Sequence, residues 1–230
     1  MLDLFILGAL TFGFGFAVVS LLDGVSRRKD LPPQISRKIF HAAIFTGAVP
    51  AQLILGFWGV VVYGVVMAGF VLLSVREGAG SPLYDALARA EDGDTARRFI
   101  LVPLMATALG GLVTVLLVGD IAVVGYLVCG WGDAVGEPAG ARWGRHRYST
   151  PFSSSKDHFR SLEGSAAVFL AGAAGGWVAL GLLGVSLPLA LGLGLVCGVV
   201  GALAEGFSGH GTDNFWAQLL PALVASWLMG

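Results

Sequence analysis

The sequence is poor in charge and in cysteine. Only 13% of its 230 residues are charged, whereas a typical soluble domain has about 25%. The two cysteines, Cys129 and Cys197, lie in apolar runs, which predicts small buried residues and not a disulfide or a metal-binding pair. The chain has no CxxC, HExxH or Walker A pattern, so the motifs of these redox, zinc and P-loop sites are missing. A net charge of −1 gives no overall basic field for nucleic acid.

Apolar residues dominate instead, at 56% of the chain with a mean hydropathy of +0.80. A membrane-spanning helix needs about 20 mostly apolar residues, and eight runs meet or approach that length. They are residues 2–22, 39–56, 57–75, 99–118, 121–137, 162–183, 187–206 and 213–229. We therefore predict an all-α polytopic membrane protein with about eight transmembrane helices and one domain over residues 1–230. The second and third runs are poorly separated at Gly56, which leaves seven spans as an alternative.

The basic residues are unevenly distributed between the connections. All 14 fall in the first, third and fifth connections, and the second, fourth and sixth hold none. Because Lys and Arg mark the cytoplasmic side, we expect the odd connections in the cytoplasm and both termini outside.

Glycine is abundant, with 35 residues. The segments 172-GAAGG-176 and 194-GLVCG-198 have the spacing of small residues that lets membrane helices approach closely. They predict tight helix packing.

Four polar clusters lie at the predicted cytoplasmic ends of the spans, and the first is 36-SRKIFH-41. Arg37 and His41 are four residues apart and share a helix face, with Lys38 beside them. Arg and Lys suit phosphate oxygens, although a membrane anchor would also use this pair. His41 lies a turn deeper than an anchor requires, which favours a site.

The second cluster is 131-WGDAVGEPAGARWG-144. Its glycines recur every four residues and form a stripe without side chains, at Gly132, Gly136, Gly140 and Gly144. Asp133 and Glu137 are also four residues apart, so their carboxylates can share a divalent cation. The alternative is tight helix packing with a capping carboxylate.

The third cluster, 153-SSSKDHFRSLEGS-165, precedes the sixth span. Lys156 and Arg160 place cations beside a helix N-terminus, which itself attracts anions. Ser161 as an N-cap with Glu163 in the first turn is an equally sound structural explanation.

The fourth cluster, 205-EGFSGHGTDN-214, connects the last two spans. Glu205, His210, Asp213 and Asn214 are oxygen and nitrogen donors on a glycine-hinged turn. Asp213 alone would serve as a helix cap, but four polar groups exceed what a cap needs. Cations, carboxylates and glycines at one face fit a metal–polyphosphate complex.

In this order the four clusters resemble the sequence motifs of the CTP-dependent lipid-alcohol kinases. That family includes phytol kinase, dolichol kinase and CTP-dependent diacylglycerol kinases, and it is related to phosphatidate cytidylyltransferases. The resemblance covers residues 36 to 221. The chain departs from the family pattern at three positions: Gly136 replaces the usual alanine, Arg160 replaces the usual lysine, and the last proline comes late, at Pro221.

The resemblance implies a kinase that transfers the terminal phosphate of CTP to an isoprenoid alcohol of phytol or polyprenol type at the cytoplasmic face, with Mg²⁺ as cofactor. Implied catalytic residues are Asp133, His41 and Asp213. Implied nucleotide-binding residues are Arg37, Lys38, Gly132, Gly136, Gly140, Gly144, Lys156, Arg160 and Glu163. Implied metal ligands are Asp133, Glu137, Glu205 and Asp213. The alternatives are nucleotidyl transfer to a lipid phosphate, and a transporter or scaffold with an anion site.

Overall fold

The computed structural model describes residues 1–29, 33–88, 93, 95–149, 160–209 and 211–230, with side chains left out at 25–29 and 33–34. Lys156 and His210 therefore lie outside the described residues. The chain forms two compact units, Met1–Met105 and Ala106–Gly230. The prediction of one functional domain over the whole chain remains a prediction.

The described residues are almost entirely helical, which confirms the all-α class. The helices are α1 (Leu2–Lys29), α2 (Pro33–Glu77), α3 (Pro82–Leu87), α4 (Ala96–Val118), α5 (Ala122–Trp143), α6 (Leu162–Leu182), α7 (Leu187–Phe207) and α8 (Asp213–Met229). Two short strands, β1 (Arg147–Tyr148) and β2 (Arg160–Ser161), pair antiparallel between α5 and α6.

The chain is a membrane protein. Within the described residues, five helical segments are long and apolar enough to cross a bilayer. The count of eight spans and the placement of both termini outside remain predictions. Helix α2 leaves helical geometry at Gly56, with φ 57° and ψ −142°, at the boundary between the second and third apolar runs. Glycine adopts this positive φ readily, because it has no Cβ to clash with the backbone.

In the N-terminal unit, α1, α2 and α3 pack against one another. The two halves of α2 are tied together by Tyr63, whose hydroxyl donates to the carbonyl of Ile44 at 2.8 Å. Phe12 of α1 packs on Phe70 of α2 with ring centroids 5.1 Å apart. Several large apolar side chains of α1 remain exposed, as lipid-facing residues of a membrane helix are.

In the C-terminal unit, α5 packs against α6, α7 and α8. The predicted close approach of glycine-rich segments is confirmed between α6 and α7. A Cβ added at Gly176 would lie 3.3 Å from the Cα of Gly194, and one at Gly172 would lie 3.6 Å from the Cα of Gly198. Both cysteines are buried and neither forms a disulfide, as predicted.

Candidate active site

The carboxylate cavity is a small space enclosed by α5, α6, α7 and α8 in the C-terminal unit. Its polar lining consists of Asp133 from α5, Glu205 from α7, and Asp213 and Asn214 from α8. The cavity measures about 10 Å³, enough for one water-sized sphere. The bundle thus brings together three predicted site carboxylates that lie up to 80 residues apart in the sequence.

Arg160 connects two of these carboxylates. Its Nη1 forms an ion pair with Oε1 of Glu205, and its Nη2 lies 3.5 Å from Oδ2 of Asp213. Nη2 also donates to the carbonyl oxygen of Ser208 at 3.4 Å. The three charged side chains are only 18–19% exposed, so Arg160 fixes the end of α7 against the start of α8.

The strand pair β1–β2 places Arg160 at this position. Tyr148 pairs with Arg160 and Arg147 pairs with Ser161. The Ser161 side chain then accepts the backbone N–H of Gly164 at 3.1 Å, which confirms Ser161 as the N-cap of α6. Arg160 is therefore held by the pairing of β2 with β1 and by the capped start of α6, which follows it directly in the sequence.

Glu163 fixes the segment that leads from α5 into β1. Its carboxylate accepts the backbone N–H of Arg145 at 3.1 Å and lies 2.7 Å from Nδ1 of His146. These contacts give Glu163 a structural role that spacing did not indicate. Nucleotide binding by Glu163 remains a prediction.

The glycine stripe of α5 faces α6. A Cβ at Gly132 would lie 3.1 Å from Cγ1 of Val168, and one at Gly140 would lie 3.2 Å from Oγ of Ser161. A Cβ at Gly136 would overlap Cγ2 of Val168, and one at Gly144 would lie 2.6 Å from Oγ of Ser161. Helix packing accounts for the three glycines inside α5, whereas Gly144 follows the helix and lies against Ser161. The nucleotide-binding role of all four glycines remains a prediction.

A buried amide network that sequence reasoning missed fixes the start of α8. Nδ2 of Asn214 donates to Oγ1 of Thr107 at 2.8 Å, and Nε2 of Gln218 donates to the carbonyl of Asn214 at 2.7 Å. Gln218 is 1% exposed. The sequence signal was an amide four residues after Asn214 inside an apolar helix. The network sets the position of Asp213, the first residue of α8.

The predicted metal ligands differ in position. Asp133, Glu205 and Asp213 line the carboxylate cavity, and Glu137, one turn further along α5, is not part of the lining. Among the described residues, no group of three or more His, Cys, Asp or Glu side chains has the geometry to hold a metal ion. Carboxylate and amide oxygens are nevertheless the donors that Mg²⁺ prefers. The magnesium site remains a prediction.

Arg37, Lys38 and His41 belong to the other unit, on α2. Lys38 is 7% exposed. The His41 ring packs on Phe45 with centroids 4.6 Å apart. Their nucleotide and catalytic roles remain predictions.

Comparison with known proteins identifies the family. The chain is 30% identical over 217 residues to phytol kinase of Synechocystis sp. (strain ATCC 27184 / PCC 6803 / Kazusa), a match that covers 91% of this chain and 85% of that protein. The chain belongs to the lipid-alcohol kinase family. It is thus a membrane-embedded transferase of the kinase type, which acts on a lipid substrate and a nucleotide donor. No family model matches the chain, and no solved structure matches it.

Proposed function

We propose that this lipid-alcohol kinase transfers the terminal phosphate of CTP to the hydroxyl of an isoprenoid alcohol of phytol or polyprenol type, at the cytoplasmic face of the membrane. The observation that carries the proposal is the cavity lined by Asp133, Glu205 and Asp213, two of whose carboxylates contact Arg160. The similarity to phytol kinase supports the choice of acceptor.

The proposed reaction is a direct displacement at phosphorus. The alcohol oxygen attacks the terminal phosphorus, the bond from that phosphorus to the bridging oxygen breaks, and CDP leaves. The hydroxyl proton passes to a carboxylate. We assign Asp133, which lines the cavity from α5, as the proton acceptor. His41 would orient one of the reactants.

The polar lining of the cavity consists of carboxylates and an amide, the oxygen donors that Mg²⁺ prefers. The candidate Mg²⁺ ligands are Asp133, Glu137, Glu205 and Asp213, although the described residues are not arranged as a metal site in this structure. Bound there, Mg²⁺ would neutralise charge on the transferring phosphate.

The basic residues would hold the triphosphate. Lys38 and Arg37 of the N-terminal unit supply cations from α2, and Arg160 supplies one beside the carboxylates. Arginine binds phosphate oxygens as a two-pronged donor and lysine as a point charge.

The test is a transfer assay with purified protein. CTP labelled at the γ-phosphate or at the α-phosphate is mixed with phytol, a polyprenol, diacylglycerol or phosphatidate, and ATP, UTP and GTP serve as alternative donors. We expect γ-label in the lipid, with CTP and an isoprenoid alcohol as the best pair. Transfer of α-label to a lipid phosphate would indicate a cytidylyltransferase instead.

A further inference from the structure

A second and larger opening, the α6–α7 groove, lies in the C-terminal unit. It measures about 390 Å³, within the range of small-molecule pockets. Its walls include Leu162 and Phe169 of α6 with Leu203 and Phe207 of α7. Leu162, Leu203 and Phe207 are 53–60% exposed, so the groove is open on the surface of two membrane-spanning helices.

The polar side chains in the described lining of the groove are the hydroxyls of Tyr148, Ser149 and Ser165, and two of them form a pair. The Tyr148 hydroxyl and Oγ of Ser165 lie 2.6 Å apart, and both residues line the groove. Each hydroxyl has one proton and two lone pairs. The pair therefore keeps one proton and several lone pairs for a third hydroxyl group.

The groove and the carboxylate cavity are lined by neighbouring residues of α6 and α7. On α7, Gly201 and Glu205 line the cavity, whereas Ala202 and Gly206 line the groove. A Cβ at Gly206 would lie 3.3 Å from the Tyr148 hydroxyl. Tyr148 is also the strand partner of Arg160. The hydroxyl pair thus lies at the end of the groove next to the ionic network.

The residues that line the groove favour one class of lipid over others. Among the residues that the structure describes, none that lines the groove carries a formal charge, so an anionic phosphate headgroup finds no counter-charge in that part of the lining. A neutral molecule with an apolar chain and a single hydroxyl matches both the walls and the polar end. Burying such a chain is worth about 0.8 kcal/mol per CH₂ group.

We propose that the α6–α7 groove binds the apolar chain of the lipid alcohol and that Tyr148 and Ser165 orient its hydroxyl. This assignment rests on the proposed function for its catalytic meaning. As a binding site for a neutral long-chain alcohol, however, it is testable without any phosphate transfer.

The first test is photolabelling in lipid nanodiscs. The probe is a geranylgeranyl-type alcohol with a diazirine on its chain, and labelled peptides are identified by mass spectrometry. Wild-type protein should be labelled on α6 and α7 around the groove. Leu203→Trp fills the groove and should reduce labelling at least about fivefold, a loss that corresponds to about 1 kcal/mol of binding.

Leu195→Trp is the matched control. Leu195 lies on the same helix and is 52% exposed against 53% for Leu203, but it does not line the groove. Labelling of this variant should equal wild type. Val199→Trp, one turn from Leu203 on the groove side, repeats the measurement if Leu203→Trp does not purify. Equal labelling of groove variants and control would overturn the proposal. The proposal would also be overturned if Leu203→Trp reduced labelling by a diazirine phospholipid as much as labelling by the alcohol probe, because the groove would then be a general lipid contact.

The second test examines the hydroxyl pair. Free alcohol should compete with the probe about fivefold better than its methyl ether, since a lost hydrogen bond costs about 1 kcal/mol. Tyr148→Phe and Ser165→Ala should abolish that preference and leave labelling by the probe's chain in place. An unchanged preference in both variants would contradict the positioning role. Failure of phosphate transfer with intact groove labelling would reject the proposed function alone.

Discussion

The two units of the chain differ in how their site residues are brought together. In the N-terminal unit, Arg37, Lys38 and His41 lie within about one turn of a single helix. In the C-terminal unit, Asp133, Glu205 and Asp213 come from three helices and meet at one cavity. A local cluster survives most changes elsewhere in the fold, whereas a cavity built by a bundle depends on how closely its helices pack.

Removing the cation that contacts Glu205 and Asp213 should have a large effect on the site of the C-terminal unit. Arg160→Gln leaves Glu205 and Asp213 without the guanidinium that connects them. Losing one partner of a half-buried ionic network should reduce kcat by about 30-fold or more and lower the melting temperature. Both are measured on detergent-purified protein.

Arg160→Lys keeps the charge and restores the residue usual in the family pattern, so it should retain activity within about tenfold of wild type. Arg147→Gln, on the partner strand, removes an arginine whose side chain is exposed and should match wild type. Equal losses from Arg160→Gln and Arg147→Gln would mean that the ionic network is dispensable.

The basic cluster should show a smaller and more selective effect. Lys38→Met keeps most of the side-chain volume and removes the charge. Losing one charged contact to phosphate should raise the KM for CTP about tenfold while kcat changes little, in initial-rate kinetics. Arg76→Gln, an exposed position in the last turn of the same helix, should leave KM unchanged. An unaltered KM for Lys38→Met would restrict the nucleotide site to the C-terminal unit.

Helix packing in the C-terminal unit should give the smallest effect. Gly136→Ala places a methyl group against Val168 and should destabilise the protein by about 1–3 kcal/mol. Gly192→Ala, on α7 with open space around it, should be neutral or slightly stabilising. Thermal unfolding followed by circular dichroism reports both changes.

A double variant sharpens the packing prediction. If the glycine stripe serves packing, Val168→Ala should restore the stability of Gly136→Ala. The interaction free energy between the two substitutions should then clearly exceed the deviation from additivity that independent sites show. The KM for CTP should not change in either variant. A raised KM with unchanged stability would instead support nucleotide binding by the stripe.

The sequence predicted the local features of this fold well. Apolar runs located the long helices, Gly56 marked the break in α2, and the glycine segments of α6 and α7 predicted their close approach. Ser161 was predicted as an N-cap from its place before Glu163. Each of these features depends on residues within about one or two helix turns, where spacing alone carries the information.

The features that the sequence did not predict depend on long-range contacts. Arg160 contacts Glu205 and Asp213, which lie 45 and 53 residues later in the sequence. Residue spacing within a cluster does not show which distant segments come into contact. Glu163 turned out to hold the segment at His146, 17 residues earlier. The hydrogen bonds of Thr107 and Gln218 were not predicted, because a single polar residue in an apolar run does not by itself indicate a hydrogen-bond network.

Asp133 tests the central claim most directly. The account assigns it as the proton acceptor of phosphate transfer, so Asp133→Asn should reduce transfer of γ-label from CTP to the lipid alcohol by about 10²–10⁴-fold. Asp120→Asn changes an exposed carboxylate in the turn between α4 and α5 and should transfer label at the wild-type rate. Wild-type transfer by well-folded Asp133→Asn protein would contradict the assignment of the carboxylate cavity as the active site.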